Sequence, residues 1–437
     1  MEVMVATYLK KWVGNRILSR TTGKGGLNLS KMRMFPPQVS MPLRRHGLDP
    51  VPALGEARET DPVHRLAHLF GLTVWLVTGH AEAKAVLADT TNFSNDIRPM
   101  VGSDPNRPSE GIGGLGFTDP PDHTRLRKLL TPEFTKRRLA RLEPAIEKIV
   151  NDQLDLMEAK GPVADIVADF SFNVPFLLIA DLLGVEEQDR DRFRALGPAR
   201  FDLSGGGIGV FGSASESREF LFEIVRKQRT NPGDGLIGSI IRTQGDEIDD
   251  IELGGLADGV FLGGYETSAS MLALGTLVLL RNPEHFERIR TEPGAVDVIV
   301  EELLRYLAVV QVAFPRFARH DQELFGKQVK KGDLVAVSLS GADRDKQVFG
   351  LDAEDFYPRR AAPAAHLAFG HGMHRCVGAE LARMELRAAF TALAHRFPDL
   401  ALAVPEEQLR FREFSIVYGV ETLPVHLHAV GTRQAAG

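Results

Sequence analysis

Cysteine is nearly absent: Cys376 is the only one in 437 residues. An intramolecular disulfide is therefore impossible, which fits a reducing compartment such as the cytoplasm and excludes a disulfide scaffold. Long apolar runs are missing as well. The longest, Met271 to Leu280, is interrupted by Gly275 and Thr276 and falls short of the ~18 residues that a membrane span needs. No secretory leader is legible, because Lys10, Lys11 and Arg16 break the one candidate stretch. Hydrophobic residues make up 43% and charged residues 25%, the proportions of an ordinary globular protein with room for a core around a large cofactor.

Charge is unevenly spread. Residues 1–45 carry nine Lys or Arg against Glu2 alone, a surplus of +8, which leaves −14 for the remainder of a chain whose total is −6. The basic stretch is interleaved with Met4, Val5, Tyr8, Leu9, Trp12, Val13, Ile17 and Leu18. Two readings stand: an amphipathic segment in weak contact with anionic lipid, or a solvated tail packing a few apolar residues on the body. The acidic remainder excludes nucleic acid as a partner.

Residues 1–60 read as a basic arm and entry loop, punctuated by Pro36-Pro37 and Asp49-Pro50. Leu72 to Val77 reads as a strand; residues 308–345 turn β-like, with Val312, Phe314 and Phe317 and later Leu334 to Val337; a third short β region sits near Ser415 to Val425. Helical patterns cover about 123–160, 170–200, 216–230, 250–281, 283–290, 294–307 and 377–397. The run Ser204-Gly-Gly-Gly-Ile-Gly209 falls between two of these helices as a lid hinge or a plain turn.

The most specific text surrounds the cysteine: Phe369-Gly-His-Gly372-Met-His374-Arg-Cys376-Val-Gly378. Leu381, Met384, Leu386, Phe390, Leu393 and Phe397 follow at helical spacing, so the cysteine closes a glycine-rich loop and opens an amphipathic helix. A helix N-terminus favours a thiolate, glycines admit backbone N–H donors to the sulfur, and Phe369 can shield it from water. This suits a thiolate ligand to iron. Three other readings of a lone cysteine are an inert buried thiol, a catalytic Cys/His pair, and a zinc site built from His366, His371, His374 and Cys376.

With its pattern Phe-x-x-Gly-x-x-x-Cys-x-Gly, the loop resembles the haem-binding signature of the cytochrome P450 family, particularly its soluble bacterial members, and the likeness runs from about residue 50 to 425. The resemblance implies a mainly α fold with a smaller β lobe, about a dozen helices around a haem. It implies that residues 61–437 form a single haem-binding monooxygenase domain. Cys376 would be the metal ligand, and Phe369 would cover it.

Gly263-Gly264-Tyr265-Glu266-Thr267 lies inside the helix that begins near Asp249. Two mid-helix glycines cost about 1 kcal/mol each relative to alanine, so they point to a close approach or a kink. Glu266 and Thr267 resemble the family's acid–alcohol pair, which relays protons to iron-bound O2. A small-residue helix crossing, with the Thr267 hydroxyl bonded back to a carbonyl, is the alternative.

Glu302 and Arg305, at i and i+3 among leucines, resemble the family's Glu-x-x-Arg motif. Arg360, with Arg359 as the alternative, is the candidate that completes this structural cluster. Haem propionates require Arg or His donors. His123 and Arg127 match the family's propionate positions, with Arg316 and His374 as a third and fourth.

Substrate-contacting segments fall by resemblance near residues 99–101, 201–211, 260–263, 309–314 and 414–417. Within them, Val260, Gly263, Val310, Val312 and Ile416 are expected to line an apolar pocket, with Gln311 as a lone polar group orienting a substrate. The implied activity is insertion of one atom of O2 into a hydrophobic small molecule, with hydroxylation as the expected outcome. Haem b (iron protoporphyrin IX) is the implied cofactor. Electrons would come from NAD(P)H through ferredoxin reductase and ferredoxin. Lys128, Lys136, Arg137, Arg138 and Arg141 form a basic surface suited to an acidic ferredoxin-type donor, and a cytoplasmic monomer is expected. The alternatives are a peroxide-driven peroxygenase and a non-catalytic haem- or lipid-binding protein.

Overall fold

The computed structural model describes residues 22–23, 26–27, 37–69, 72–96, 115–196, 216–360, 365–412 and 414–429. The glycine-rich run 204–209, read as a lid hinge or a plain turn, most of the basic arm and the pocket segments 99–101 and 201–211 lie outside the described residues.

Helix α1 spans Pro52–Thr60. A hairpin follows, β1 (Val63–Leu69) and β2 (Leu72–Val77), then α2 (His80–Ala88) and the short β3 (Phe93–Ser94). The helical body begins with α3 (Asp122–Leu130) and α4 (Glu143–Ala159). It continues through β4 (Val163–Asp165), α5 (Asn173–Leu183), α6 (Glu187–Ala195), α7 (Glu216–Thr230) and α8 (Leu236–Gln244). The long α9 (Asp250–Arg281) leads to α10 (Pro283–Thr291) and α11 (Ala295–Leu307). Strands β5 (Arg316–Ala318) and β6 (Leu334–Val337), helix α12 (Ala379–Arg396), and strands β7 (Ala401–Leu402) and β8 (Pro424–His426) complete the set.

The fold is mainly α with a smaller β region, as expected from the sequence. The larger sheet has the order β1-β2-β6-β5-β3, with β6 parallel to β2 in the register Leu334 opposite Val74 to Val337 opposite Val77, and the other neighbours antiparallel. A three-stranded antiparallel sheet has the order β7-β8-β4.

Helix α9 runs through the centre. Asp249 caps it by accepting from the Glu252 N–H at 2.7 Å, and Asp250 and Glu252 complement the dipole. From Ser268 to Leu279 every residue is buried, as in a helix enclosed on all sides. The Gly263-Gly264 pair does not break it: α9 is a continuous α-helix. Gly264 is needed for a close approach, since a Cβ there would lie 2.9 Å from Ile179 Cδ1 on α5. Around α9, one core cluster joins α4, α9, α10, α11 and α12, and a second joins α5, α7, α8 and the start of α9.

Two boundaries expected from the sequence are corrected. The pattern at 123–160 is broken by the 3-10 turn Thr131–Phe134, entered through Pro132. Residues 41–60 are part of the packed body, not an entry loop: Met41, Leu43, Leu48 and Leu54 are buried, and the Arg45 guanidinium donates to Ala308 O at 3.0 Å and Leu48 O at 3.1 Å.

Candidate active site

The cysteine loop is held by its own backbone. The Cys376 N–H donates to Phe369 O at 2.9 Å and closes the turn. Gly372 has φ +71°, and a Cβ there would meet the Ala88 Cα at 2.7 Å, so the end of α2 demands glycine on both counts. Helix α12 starts at Ala379, two residues beyond the cysteine's neighbour Val377. The Cys376 side chain is exposed, although protein atoms surround it closely. Burial pushes the thiol up; the Gly378 backbone N–H and the cations Arg127, Arg375 and Arg383 pull it the other way. Among the described residues no group of three or more His, Cys, Asp or Glu is arranged to hold a metal ion, which removes the zinc reading.

Four basic side chains from three segments, α3, β5 and the cysteine loop itself, converge here. The rings of His123, on α3, and His374 lie 4.2 Å apart. Arg127, one turn along α3, donates to Arg375 O at 2.8 Å and ties that helix to the loop. Arg316, at the start of β5, is buried, and its guanidinium donates to Phe314 O at 2.9 Å. Burial, then His123, Arg316 and Arg127, push His374 down to about 3, slightly offset by the nearby Leu115 backbone. Neither ring nitrogen of His123 or His374 makes a hydrogen bond of standard geometry. Buried polar atoms without partners are rare and call for an explanation. An anionic group seated here would accept from one N–H of each imidazole and neutralise both guanidinium ions.

On α9, Gly263 is exposed although it lies mid-helix, and a Cβ there would meet nothing within 4 Å. The Thr267 hydroxyl donates to Gly263 O at 2.5 Å. Glu266 is buried and accepts from Arg412 Nη1 at 2.7 Å. The spacing 266–412 concealed this partner from sequence reading. A second buried acid was also missed. Glu385 on α12 is pushed up to about 8 by burial, opposed by a hydrogen bond from Ser268, and its Oε1 has no partner.

The structure places Val310 and Ile416 in one small apolar cluster with Phe117, Leu262, Phe317 and Val417. Gly263 adjoins it through Leu262. Val260 instead packs against the two large cores, and Val312 bridges to Ser338. Gln311 is corrected: it is fully buried and its amide is engaged by protein. Its Nε2 donates to Ser415 O at 2.8 Å and Leu43 O at 3.3 Å, and its Oε1 accepts from Arg45 Nε at 2.9 Å. It ties three segments together and has no group left for a substrate.

Behind the loop, Glu302 is fully buried and accepts from Arg305 Nε and Nη2, both at 2.8 Å, from the Tyr357 N–H at 2.8 Å and from Arg360 Nε at 3.3 Å. Arg305 also donates to Asp343 O, Ala353 O and Asp355 O, each at 2.7 Å.

The family model described as Cytochrome P450 matches residues 222–409. The chain is 39% identical to "Cytochrome P450 165B3" of Amycolatopsis orientalis over 88% of its length and 97% of that protein. It is 36% identical to "Mycinamicin IV hydroxylase/epoxidase" of Micromonospora griseorubida, covering 87% of this chain and 96% of that one. Among solved structures it is similar to OxyC, "a Cytochrome P450 Implicated in an Oxidative C-C Coupling Reaction During Vancomycin Biosynthesis", with a TM-score of 0.78 and 36% identity over 88% of this chain and 96% of that chain.

Proposed function

The chain belongs to the cytochrome P450 family of haem monooxygenases, and from that premise we propose that it inserts one atom of O2 into a hydrophobic small molecule using electrons from a separate protein donor. Bound haem supplies the iron at which O2 is activated. The observation that carries the reading is the cluster of His123, Arg127, Arg316 and His374 beside Cys376, two buried imidazoles that make no hydrogen bond of standard geometry next to two guanidinium ions.

Each residue has a defined task. Cys376 would donate its sulfur to the iron, and Phe369 would keep water from that sulfur. His123, Arg127, Arg316 and His374 would hold the two propionates. Thr267 would hold a proton at Oγ1, turning from Gly263 O, and Glu266 would replenish it from an Oε atom after loosening from Arg412. Glu302, Arg305 and Arg360 would fix the scaffold behind the cysteine loop. Phe117, Leu262, Val310, Ile416 and Val417 would present an apolar surface to the substrate, favouring a compound with few polar groups. A relative named as a hydroxylase/epoxidase and a structural neighbour implicated in C–C coupling support both hydroxylation and oxidative coupling as outcomes, with hydroxylation preferred.

The test has two parts. Purified protein is supplied with NAD(P)H, ferredoxin reductase, ferredoxin and ligands found by their spin-state shift. Product formed under these conditions supports the reading; turnover with peroxide alone replaces it with a peroxygenase. In Thr267→Ala, electron consumption is expected to continue while product per electron falls about tenfold or more, with the difference released as peroxide. Full coupling in that variant removes Thr267 from the relay.

The electron donor is assigned to the surface of α3 and the turn after it. Lys128, Lys136, Arg137 and Arg141 are exposed there, and the turn's Phe134 reaches within 3.8 Å of a Cβ built on Gly378. Arg138 is partly neutralised by Glu133 at 2.6 Å. A triple variant K128E/K136E/R137E is expected to slow first-electron transfer from ferredoxin about tenfold or more at low salt, with the gap closing at high salt. Haem content should not change. An unchanged transfer rate would remove this surface as the docking face.

A further inference from the structure

Arg383 has no part in the proposed function, yet it is among the most tightly held cations next to the cysteine loop. It lies on α12, seven residues after Cys376. Its Nε donates to Glu301 Oε1, Nη2 donates to Glu301 Oε2 at 3.1 Å, and Nη1 donates to Glu380 Oε1 at 2.9 Å. Its guanidinium carbon stands 4.7 Å from the centre of the Phe369 ring, a cation–π contact. Glu301 is fixed from its other side by His366 Nε2 at 3.2 Å, and the His366 ring lies 5.8 Å from that of Phe369. Burial raises Glu301, but hydrogen bonds from His366 and Arg383 outweigh it and hold the carboxyl down at about 2, so it is charged throughout the physiological range. Both side chains are mostly shielded from solvent, at 12% and 18% exposed, so their charges are only partly screened.

We propose that Arg383, clamped by Glu301 and Glu380 against the face of Phe369, is a positioning residue that sets the reduction potential of iron ligated by Cys376. The proposal rests on the reading of Cys376 as the axial ligand. A positive charge close to the sulfur stabilises the form holding one more electron, and it withdraws density from the thiolate. Phe369 links the two: its ring carries the guanidinium and its backbone oxygen accepts from the Cys376 N–H. Glu301 and Glu380 fix where the guanidinium stands, and Glu301 also subtracts from the positive field. Arg127 and Arg375 act on the same sulfur, and Lys84 lies on the far side of the loop near His371.

A charge mechanism and a packing mechanism predict different signs. The midpoint potential of the haem iron is measured in wild type, R383Q, R383K and E301Q, with the reduced-CO spectrum recorded for each. R383Q leaves two carboxylates without their cation and should lower the reduction equilibrium about three- to tenfold. That is a fall of roughly 30–60 mV at 59 mV per decade for one electron. R383K keeps the charge and should recover most of this shift. E301Q removes a negative charge while Arg383 stays, and should move the potential upward. If R383Q and E301Q shift in the same direction, or R383K falls as far as R383Q, the charge mechanism is overturned. If R383Q fails to retain haem, E301Q decides the question alone, since it must still rise. In an F369L background the R383Q effect should shrink to less than half; an equal effect would show that the ring is not the intermediary. A thiolate-type CO band in every variant keeps the ligand assignment intact while the potentials are judged, whereas its absence from wild type would overturn the ligand assignment and this proposal together.

Discussion

Cys376→Ala is expected to give a folded protein whose reduced, CO-treated form has no absorption band of the thiolate type. The side chain makes no disulfide and is the chain's single thiol, so no other sulfur can substitute for it. Its removal leaves the turn in place, because that turn is closed by the backbone N–H of residue 376 donating to Phe369 O, a bond that alanine retains. Stability should therefore change by no more than about 1 kcal/mol, the range for a small truncation at an open site. Product formation should disappear altogether. The propionate cluster remains in this variant, so some haem can still bind with water or an imidazole as its axial donor. A thiolate-type band persisting in Cys376→Ala would end the assignment, whatever the rest of the site looks like.

The second large effect concerns folding. Glu302→Ala should destabilise the protein by about 3–5 kcal/mol, the usual result of removing one partner from a buried ion pair. Set against total stabilities of about 5–15 kcal/mol for natural domains, a loss of that size threatens expression itself. The mechanism is specific. Arg305 and Arg360 are both buried, and without Glu302 each keeps its positive charge in a region with little water. The Tyr357 N–H also loses its acceptor. Glu302→Gln keeps one acceptor oxygen and the shape, and should lose less than Ala. Urea midpoints of the two variants, measured with haem bound, provide the check. A loss under about 1 kcal/mol in Glu302→Ala would mean that the network relaxes or takes in water, and that its place behind the cysteine loop is incidental.

Much of this was legible in the chain, and the parts that were not share a physical reason. Strand β2 was read with its observed bounds, because a dense β-branched run bounded by turn residues leaves little ambiguity, while β6 lay inside a broader β-like stretch, 308–345. Helix α9 was read to within a residue from its Asp249 cap and its length. Helices α1, α2 and α8 were missed. They are short, and the alanines of α2 and the mixed polarity of α1 give no sharp alternation between a wet and a dry face. The cysteine loop stood out because its chemistry is compressed into ten residues, Phe369 to Gly378. Gln311 misled for the opposite reason. A lone amide in an apolar segment reads as a ligand contact, and only the arrival of Leu43, Arg45 and Ser415 shows it as a tie between distant segments. The Arg412 partner of Glu266 and the Glu301 partner of Arg383 were invisible on the same grounds, since nothing local specifies a contact across such separations.

The parallel pairing of β2 with β6 has a consequence for how the molecule is made. About 260 residues separate Val77 from Val337, so the inner edge of the first hairpin has no neighbour until most of the chain has been translated. At about 5–20 residues per second, that edge waits roughly 10–50 s beside the ribosome. Leu72 to Val77 is then a bare apolar ribbon of the kind that recruits other nascent chains. Slower expression at low temperature, or surplus chaperone, should therefore raise the recovered yield more than any substitution in the haem cleft.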